Sequence, residues 1–344
     1  MKKINVLGCC AAQGALLYPI LNNSNLRIIG NVEPRGVFHS SQEEQWELNF
    51  PGIPFAKTPD QFLKKRVDVI LGSPSCGHSS VFSYSRKKSL GKPREDKTLN
   101  LYLSQIDHFR PKIWAMENLP KLLDLIPLDE WKWKFPDYEF IVHCYSVSAF
   151  GNSQVSRKRL LLIGIRRDHQ ELVQYFAKVY SVNKLKKCWE LYQMRRKKLN
   201  YREDKNKVLA MYDSRKLPEK KNLTVEEVRK LWRTDFKDMY KWPMPGTKMK
   251  TLPGVYRNKA RAYPMTVRPS SRQFNHRGKI MGLDEYRVIM GFPEDFQVYF
   301  DRKKRTYWLN KGRNTLTKGA VYEIGLWFSQ CLEKAISEVT KGTL

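Results

Sequence analysis

Short apolar runs bounded by turn-forming residues recur along the first half of the chain, at 4–7, 27–32, 67–71, 113–116, 140–147 and 160–165. Most are apolar at successive positions rather than at alternate ones, which predicts strands buried on both faces. Between them and after them the period changes to that of a helix. Asp96 is placed to cap a helix whose apolar side is Leu99, Tyr102, Ile106 and Phe109, and Pro111 ends it. Residues 283–290 predict a short helix leading into a Gly291-Phe292-Pro293 corner. Residues 320–336 predict an amphipathic helix with Val321, Ile324, Phe328, Cys331, Leu332, Ala335 and Ile336 on one face. The small residues of 8–14 predict the opening of a further helix through Leu16 and Leu17. Strands alternating with helices in this way imply an α/β fold with a doubly wound, Rossmann-like sheet, whose chemistry collects at the carboxyl ends of the strands.

Composition changes the picture at one point. The 344 residues carry 63 Lys+Arg against 34 Asp+Glu, a formal charge of +29. Such an excess points to a polyanionic partner, nucleic acid first and an anionic membrane surface second. No apolar run approaches the length of a membrane span and no signal-like start is seen, so a soluble intracellular protein is expected. The six cysteines, at 9, 10, 76, 144, 188 and 331, lack metal-ligand spacing and predict reduced thiols and no metal. Residues 184–221 hold fourteen Lys+Arg and five Asp+Glu, interleaved with Trp189, Tyr192, Tyr201 and Tyr212. That mixture suits a surface that follows a nucleic-acid backbone. A second, basic domain is therefore expected at 169–275, inserted into a catalytic domain made of 1–168 and 276–344, with the last helix packing back on the first part.

Candidate chemistry sits at the ends of the predicted strands. Run 67–71 enters the turn Gly72-Ser73-Pro74-Ser75, which ends in Cys76, and run 113–116 delivers Glu117 and Asn118. A thiol, an acid and an amide at neighbouring strand ends can converge on one small ligand. After the first strand come Leu7, Gly8, Cys9, Cys10 and Gly14, and after the second come Glu33 and Pro34, an arrangement suited to a nucleoside held close to the backbone. Arg157 and Arg159 stand at the start of run 160–165, either as solvated termini or as phosphate ligands.

The Pro-x-Cys turn, the Glu-Asn-hydrophobic turn, the Arg-x-Arg strand start, the Gly-Phe-Pro-x-x-Phe turn and the terminal helix, in that order, resemble the DNA cytosine-C5 methyltransferase family. The similarity covers most of the chain outside 169–260. It implies methyl transfer from S-adenosylmethionine to C5 of a cytosine flipped out of double-stranded DNA, by a protein acting as a monomer in a prokaryotic or phage-like restriction-modification setting. It assigns Cys76, in SPSCGHSS, as the nucleophile, Glu117, in AMENLPKL, as the acid that serves N3, and Arg157 and Arg159, in VSRKRLLLIG, as ligands of the base or its phosphate. Val155 or Gln154 takes the place of the family's glutamine, and Glu285 lies in the matched downstream helix. Around the donor the resemblance assigns Leu7, Gly8, Cys9, Cys10, Gly14, Glu33, Pro34, Asp60, Pro74, Ala320 and Val321. For nucleic acid the expected contacts are Ser79, Ser80, Arg86, Lys87, Lys88, Lys186, Lys187, Arg195, Arg196 and Lys197.

The chain departs from the family pattern where the donor is held. The family's Asp-Leu-Phe-x-Gly-x-Gly-Gly run reads LGCCAAQG here, with Cys9 in the Phe place, and its Gly-Asn-x-Val is Lys318-Gly319-Ala320-Val321. Two further readings stand beside methylation of DNA: a nucleic-acid-binding protein without turnover, and cytosine C5 modification with an altered donor or an RNA substrate.

Overall fold

The computed structural model describes residues 3–34, 39–75, 96–155, 157–186, 283–298, 316 and 319–340. Seven strands form one sheet: β1 (Ile4–Cys9), β2 (Leu26–Val32), β3 (Phe55–Ala56), β4 (Val69–Gly72), β5 (Ile113–Asn118), β6 (Tyr138–Ser146) and β7 (Lys158–Arg166). Their order across the sheet is β3-β2-β1-β4-β5-β7-β6. The first five are parallel, whereas β7 runs antiparallel to both β5 and β6. The chain order reverses between β1 and β4, and the crevice beyond their carboxyl ends is where an open sheet of this kind receives a ligand.

Alternation along each central strand divides the core between the two faces of the sheet. Val6, Val69, Leu71, Ile113, Ala115, Leu161 and Ile163 belong to one buried cluster, with Trp327, Phe328 and Leu332 of the last helix. Leu7, Ile70, Trp114, Met116, Leu160 and Leu162 belong to the other, with Tyr102 and Ile106. Burial on both faces is why these strands read as nearly unbroken apolar runs.

Among the described residues the α-helices are α1 (His39–Asn49), α2 (Lys97–Phe109), α3 (Leu122–Leu125), α4 (Leu128–Lys134), α5 (Val173–Phe176), α6 (Leu283–Ile289) and α7 (Tyr322–Thr340). The Asp96 side chain caps α2 by accepting from the N–H groups of Thr98 and Leu99, and Arg110, in the left-handed region, closes it ahead of Pro111. Helix α7 crosses the 15–16 segment so closely that a Cβ on Gly325 would stand 2.5 Å from Ala15 O. Trp327, fully buried on α7, completes the apolar face predicted for that helix.

One expected helix does not form. After β1 the chain takes a series of turns through Leu17 and only a short 3-10 helix, Tyr18–Ile20. Cys10 (φ 57°), Ala12 (φ 52°) and Gly14 (φ 83°) all lie in the left-handed region, so every second residue of the stretch opposes α-helical propagation. Cys10 and Ala12 adopt that conformation without the freedom of glycine, at a cost of about 1 kcal/mol or more each.

Of the expected basic domain, 169–275, residues 169–186 are described, and 187–275 lie outside the described residues. Leu172 and Phe176 share the core with Trp327 and Phe328 of α7, so this stretch packs on the sheet domain.

Candidate active site

The carboxyl ends of β1, β2, β4 and β5 converge on one another through hydrogen bonds. Cys10 N–H donates to Val32 O at 2.8 Å, and Ser73 N–H donates to Cys10 O at 3.2 Å. Ala12 N–H donates to Glu33 Oε2 at 3.0 Å, and Ala11 N–H to Asn31 Oδ1 at 3.4 Å. The small-residue turn is thus fixed to the acid that follows β2, in the crevice between β1 and β4.

The side chain of Glu117 lies at the end of β5 and is 2% exposed. Its Oε2 accepts from Ser73 Oγ at 2.5 Å, and its Oε1 lies 2.7 Å from Arg159 Nε. The second contact compensates charge without the alignment of a hydrogen bond, because Oε1 has no aligned donor among the described residues. Glu117 and Asn118 are the last two residues of β5 and not the turn beyond it; their partners on β7 are Leu161 and Leu160. The Asn118 amide donates to Pro74 O at 3.1 Å and so ties β5 to the turn that precedes Cys76.

The two arginines part company. Arg159 is 15% exposed and faces Glu117. Arg157 is 2% exposed and donates through Nη2 to Gly319 O at 2.8 Å. A solvated strand terminus describes neither. Gly319 (φ 74°) begins the strap before α7, and a Cβ there would stand 3.4 Å from Ser73 Oγ and 3.9 Å from Ala12 Cβ. The strap therefore faces the turn of 8–14, and Arg157 fastens it.

The loop before Arg157 is held from below. Asn152 donates from Nδ2 to Ile289 O and to Glu323 Oε2, each at 2.9 Å. Gln154 is fully buried and donates to Ile289 O at 3.2 Å, while Val155 is 43% exposed. Gln154 is thus the residue that occupies the interior place. Burial pushes the Glu323 carboxyl up to about 7, with the Asn152 amide opposing the shift. A native value above the ordinary one near 4.5 means that the folded state holds the proton more tightly, so this stabilisation is full below about 4.5 and is lost as pH rises through about 7. Glu323→Gln, which keeps an acceptor for Asn152, is expected to flatten that part of the profile and to gain on the order of 3 kcal/mol over wild type between pH 5 and pH 8. Urea denaturation across that range checks it; a constant wild-type-to-mutant difference would refute the assignment.

Several expected donor contacts turn out to be interior residues. Leu7 and Cys9 are fully buried in the cluster with Tyr102, so Cys9 fills core where the family places a donor-facing aromatic. Cys10 is 2% exposed and its thiol donates to Thr98 O at 3.7 Å. A hydrogen bond with Cys9 and burial push that thiol well above its ordinary value, which keeps it protonated. Ala320 and Val321 are core residues too, so any donor contact they make is through the backbone. Gln13, in a glycine place of the family pattern, is fully buried and donates to Leu316 O at 3.2 Å, so its side chain points into the protein. Glu33 and Pro74 are buried beside the crevice, Pro34 is half-buried, and Asp60 is exposed after β3, accepting from Thr58 Oγ1 at 2.8 Å. Lys186 is exposed. Cys76, Ser79, Ser80, Arg86, Lys87, Lys88, Lys187, Arg195, Arg196 and Lys197 lie outside the described residues.

The family model for C-5 cytosine-specific DNA methylases matches residues 44–309. The chain belongs to that family. No protein of curated function matches it in sequence. Among solved structures it is similar to an E. coli protein described as a prophage-encoded DNA modification methyltransferase, with a TM-score of 0.65 at 12% identity, covering 98% of this chain and 100% of that one. It is also similar to the Dnmt2 methyltransferase of S. pombe, with a TM-score of 0.59 at 14% identity over 97% and 99% of the two chains. The Entamoeba histolytica methyltransferase EhMeth gives a TM-score of 0.59 at 14% identity over 98% and 99%. At these identities the likeness is one of fold, and the family match carries the activity: cytosine C5 methylation with S-adenosylmethionine as donor. For a methylase of this family the donor-side residues fit. The turn offers small side chains, the only large one in it is directed inward, and Glu33, bonded to it, supplies a carboxylate beside the crevice. Among the described residues no helix is long and apolar enough to cross a membrane, and no cluster of ligating side chains could hold a metal.

The sequence did not single out Ser73, Asn118, Asn152 or Glu323 for the contacts they make. Ser73 stood in view within the Gly-Ser-Pro-Ser turn, but its partner Glu117 is 44 residues away and no local pattern announces the pairing.

Proposed function

We propose that this protein methylates C5 of cytosine in double-stranded DNA through a covalent adduct on Cys76. The observation that carries the reading is the Glu117 carboxylate, desolvated and held between Ser73 and Arg159, at a strand end bonded through Asn118 to the turn that leads into Cys76. A buried acid with one oxygen left without an aligned donor suits an exchange of hydrogen bonds with a pyrimidine edge. The formal charge of +29 supports a polyanionic substrate.

C5 of cytosine is a weak nucleophile until something adds to C6. The Cys76 thiolate forms the S–C6 bond, and the ring electrons move toward C5 and N3. Glu117 carries the proton at N3 that offsets this charge. S-adenosylmethionine supplies the methyl group as an electrophile. N3 then returns its proton to Glu117, and loss of the C5 proton to a solvent base re-forms the C5–C6 double bond and expels the thiolate. Glu33 and the turn of 8–14 hold the donor, Arg157 keeps the Gly319 strap against it, and Arg159 places a cation beside the acid and the base carbonyl. The target atom is out of reach within a duplex, so the base must leave the stack.

The test uses 5-fluorocytosine, whose fluorine cannot leave as a cation, so that elimination stops and the adduct survives denaturation. Duplex DNA of random sequence with every cytosine fluorinated, incubated with protein and S-adenosylmethionine, should yield a denaturation-resistant complex whose mass includes one methyl group. An adduct with fluorinated RNA alone would move the substrate to RNA. No adduct with either would favour binding without turnover.

A further inference from the structure

Ser73 sits where three parts of the site meet. Its backbone N–H is bonded to Cys10 O in the donor turn, its hydroxyl to Glu117 Oε2, and the Gly319 strap lies against its side chain. A glutamate carboxylate turns easily about its last torsion, which is broad and two-fold. In water this freedom costs nothing, but here the group is 2% exposed and each orientation must find partners. Arg159 compensates the charge of Oε1 at 2.7 Å without an aligned hydrogen bond, and so does not by itself fix the carboxylate plane. The short bond from Ser73 Oγ does, at 2.5 Å, in the range of a hydroxyl donating to an ionised oxygen.

We propose that Ser73 is a positioning residue for methyl transfer: anchored to the donor turn through Cys10, its hydroxyl fixes the plane of the Glu117 carboxylate so that Oε1 stays presented to the N3 side of the cytosine. This rests on the reading of Cys76 and Glu117 given above. It makes Ser73 the link by which the donor side of the crevice sets the geometry of the base side. The backbone part of that link survives removal of the hydroxyl, so the two are separable by mutation.

The experiment compares wild type, Ser73→Ala, Glu117→Gln and the double variant, in steady-state and single-turnover methylation of whichever nucleic acid gives the fluorocytosine adduct. Ser73→Ala should lower kcat about tenfold or more, the share of a hydrogen bond to a charged group made useful in the transition state. KM for donor and for nucleic acid should change by less than about twofold, since the hydroxyl contacts neither. In the Glu117→Gln background the same change should cost less than about twofold, because the effect runs through the carboxylate. Full activity in Ser73→Ala would overturn the inference, and so would an equal loss in both backgrounds, which marks a role independent of Glu117. Either result leaves the methylation reading standing. A wild type that methylates cytosine in neither DNA nor RNA would overturn that reading and this inference with it.

Discussion

Cys76→Ser protein is expected to bind its nucleic acid within about threefold of wild type and to methylate it slower by a factor on the order of 10^4 or more. The asymmetry follows from what the sulfur does. Binding draws on positive charge spread along the chain, to which Cys76 contributes nothing, whereas addition to C6 needs an anion at neutral pH. A cysteine thiol near its ordinary pKa is already a few per cent ionised there, while a serine hydroxyl is not. The fluorocytosine adduct should vanish in step with turnover. An adduct that persists in Cys76→Ser would assign the nucleophile elsewhere. Cys10 is a poor substitute, since it is buried and its thiol is held protonated beside Cys9.

The parts of this architecture that were legible in the sequence are those where one local cause dominates. Strand β5 (Ile113–Asn118) is legible over 113–116 because those four side chains, buried on both faces, are all apolar, whereas Glu117 and Asn118 read as the turn beyond it. Helix α2 reads through Asp96 and the spacing of Leu99, Tyr102 and Ile106. Where distant partners decide, the sequence misleads. Residues 8–17 look helical because alanine, leucine and glutamine propagate helices, yet Gln13 is bonded to Leu316 and the turn to Glu33 and Val32. Strand β3 has two residues, Phe55–Ala56, too few to show a period. Helix α1 offers Glu43, Glu44 and Glu47 in a polar run, and only Trp46, stacked on Phe50 at 3.9 Å between ring centroids, reveals its buried side.

The candidate site divides along the same line. Cys76 and Glu117 stand out because polar chemistry at the end of an apolar run is poorly explained by packing. The roles of Arg157 and Arg159 are indistinguishable in sequence, since both stand at the start of the same apolar run and both carry the same charge; their separation into a strap fastener and a partner of the acid depends on Gly319, 162 residues on from Arg157. The departures at Cys9 and Gln13 look like obstacles to a donor when read against the family pattern. Both side chains point into the interior, and neither fills the crevice.

Glu117→Gln is expected to lower kcat about a hundredfold or more, roughly 3 kcal/mol of transition-state stabilisation, with nucleic-acid affinity nearly unchanged. Glutamine keeps the shape of the side chain and an oxygen that can accept from Ser73, so the ground-state structure has little reason to alter. It cannot balance Arg159, however, which loses its anion at 2.7 Å in a setting where Glu117 itself is 2% exposed. Nor can it give a proton to N3, because an amide N–H can donate a hydrogen bond to that nitrogen but does not ionise at neutral pH. The loss therefore falls on the step in which charge enters the ring, and single-turnover methylation with saturating donor should report it directly. The Arg159→Met variant in the Glu117→Gln background separates the two causes: if the stranded cation is responsible, removing it should restore part of the rate, and if the missing proton at N3 is responsible, it should restore nothing. A Glu117→Gln protein whose affinity for nucleic acid falls as far as its rate would make this residue part of ground-state binding, and would withdraw it from the chemistry.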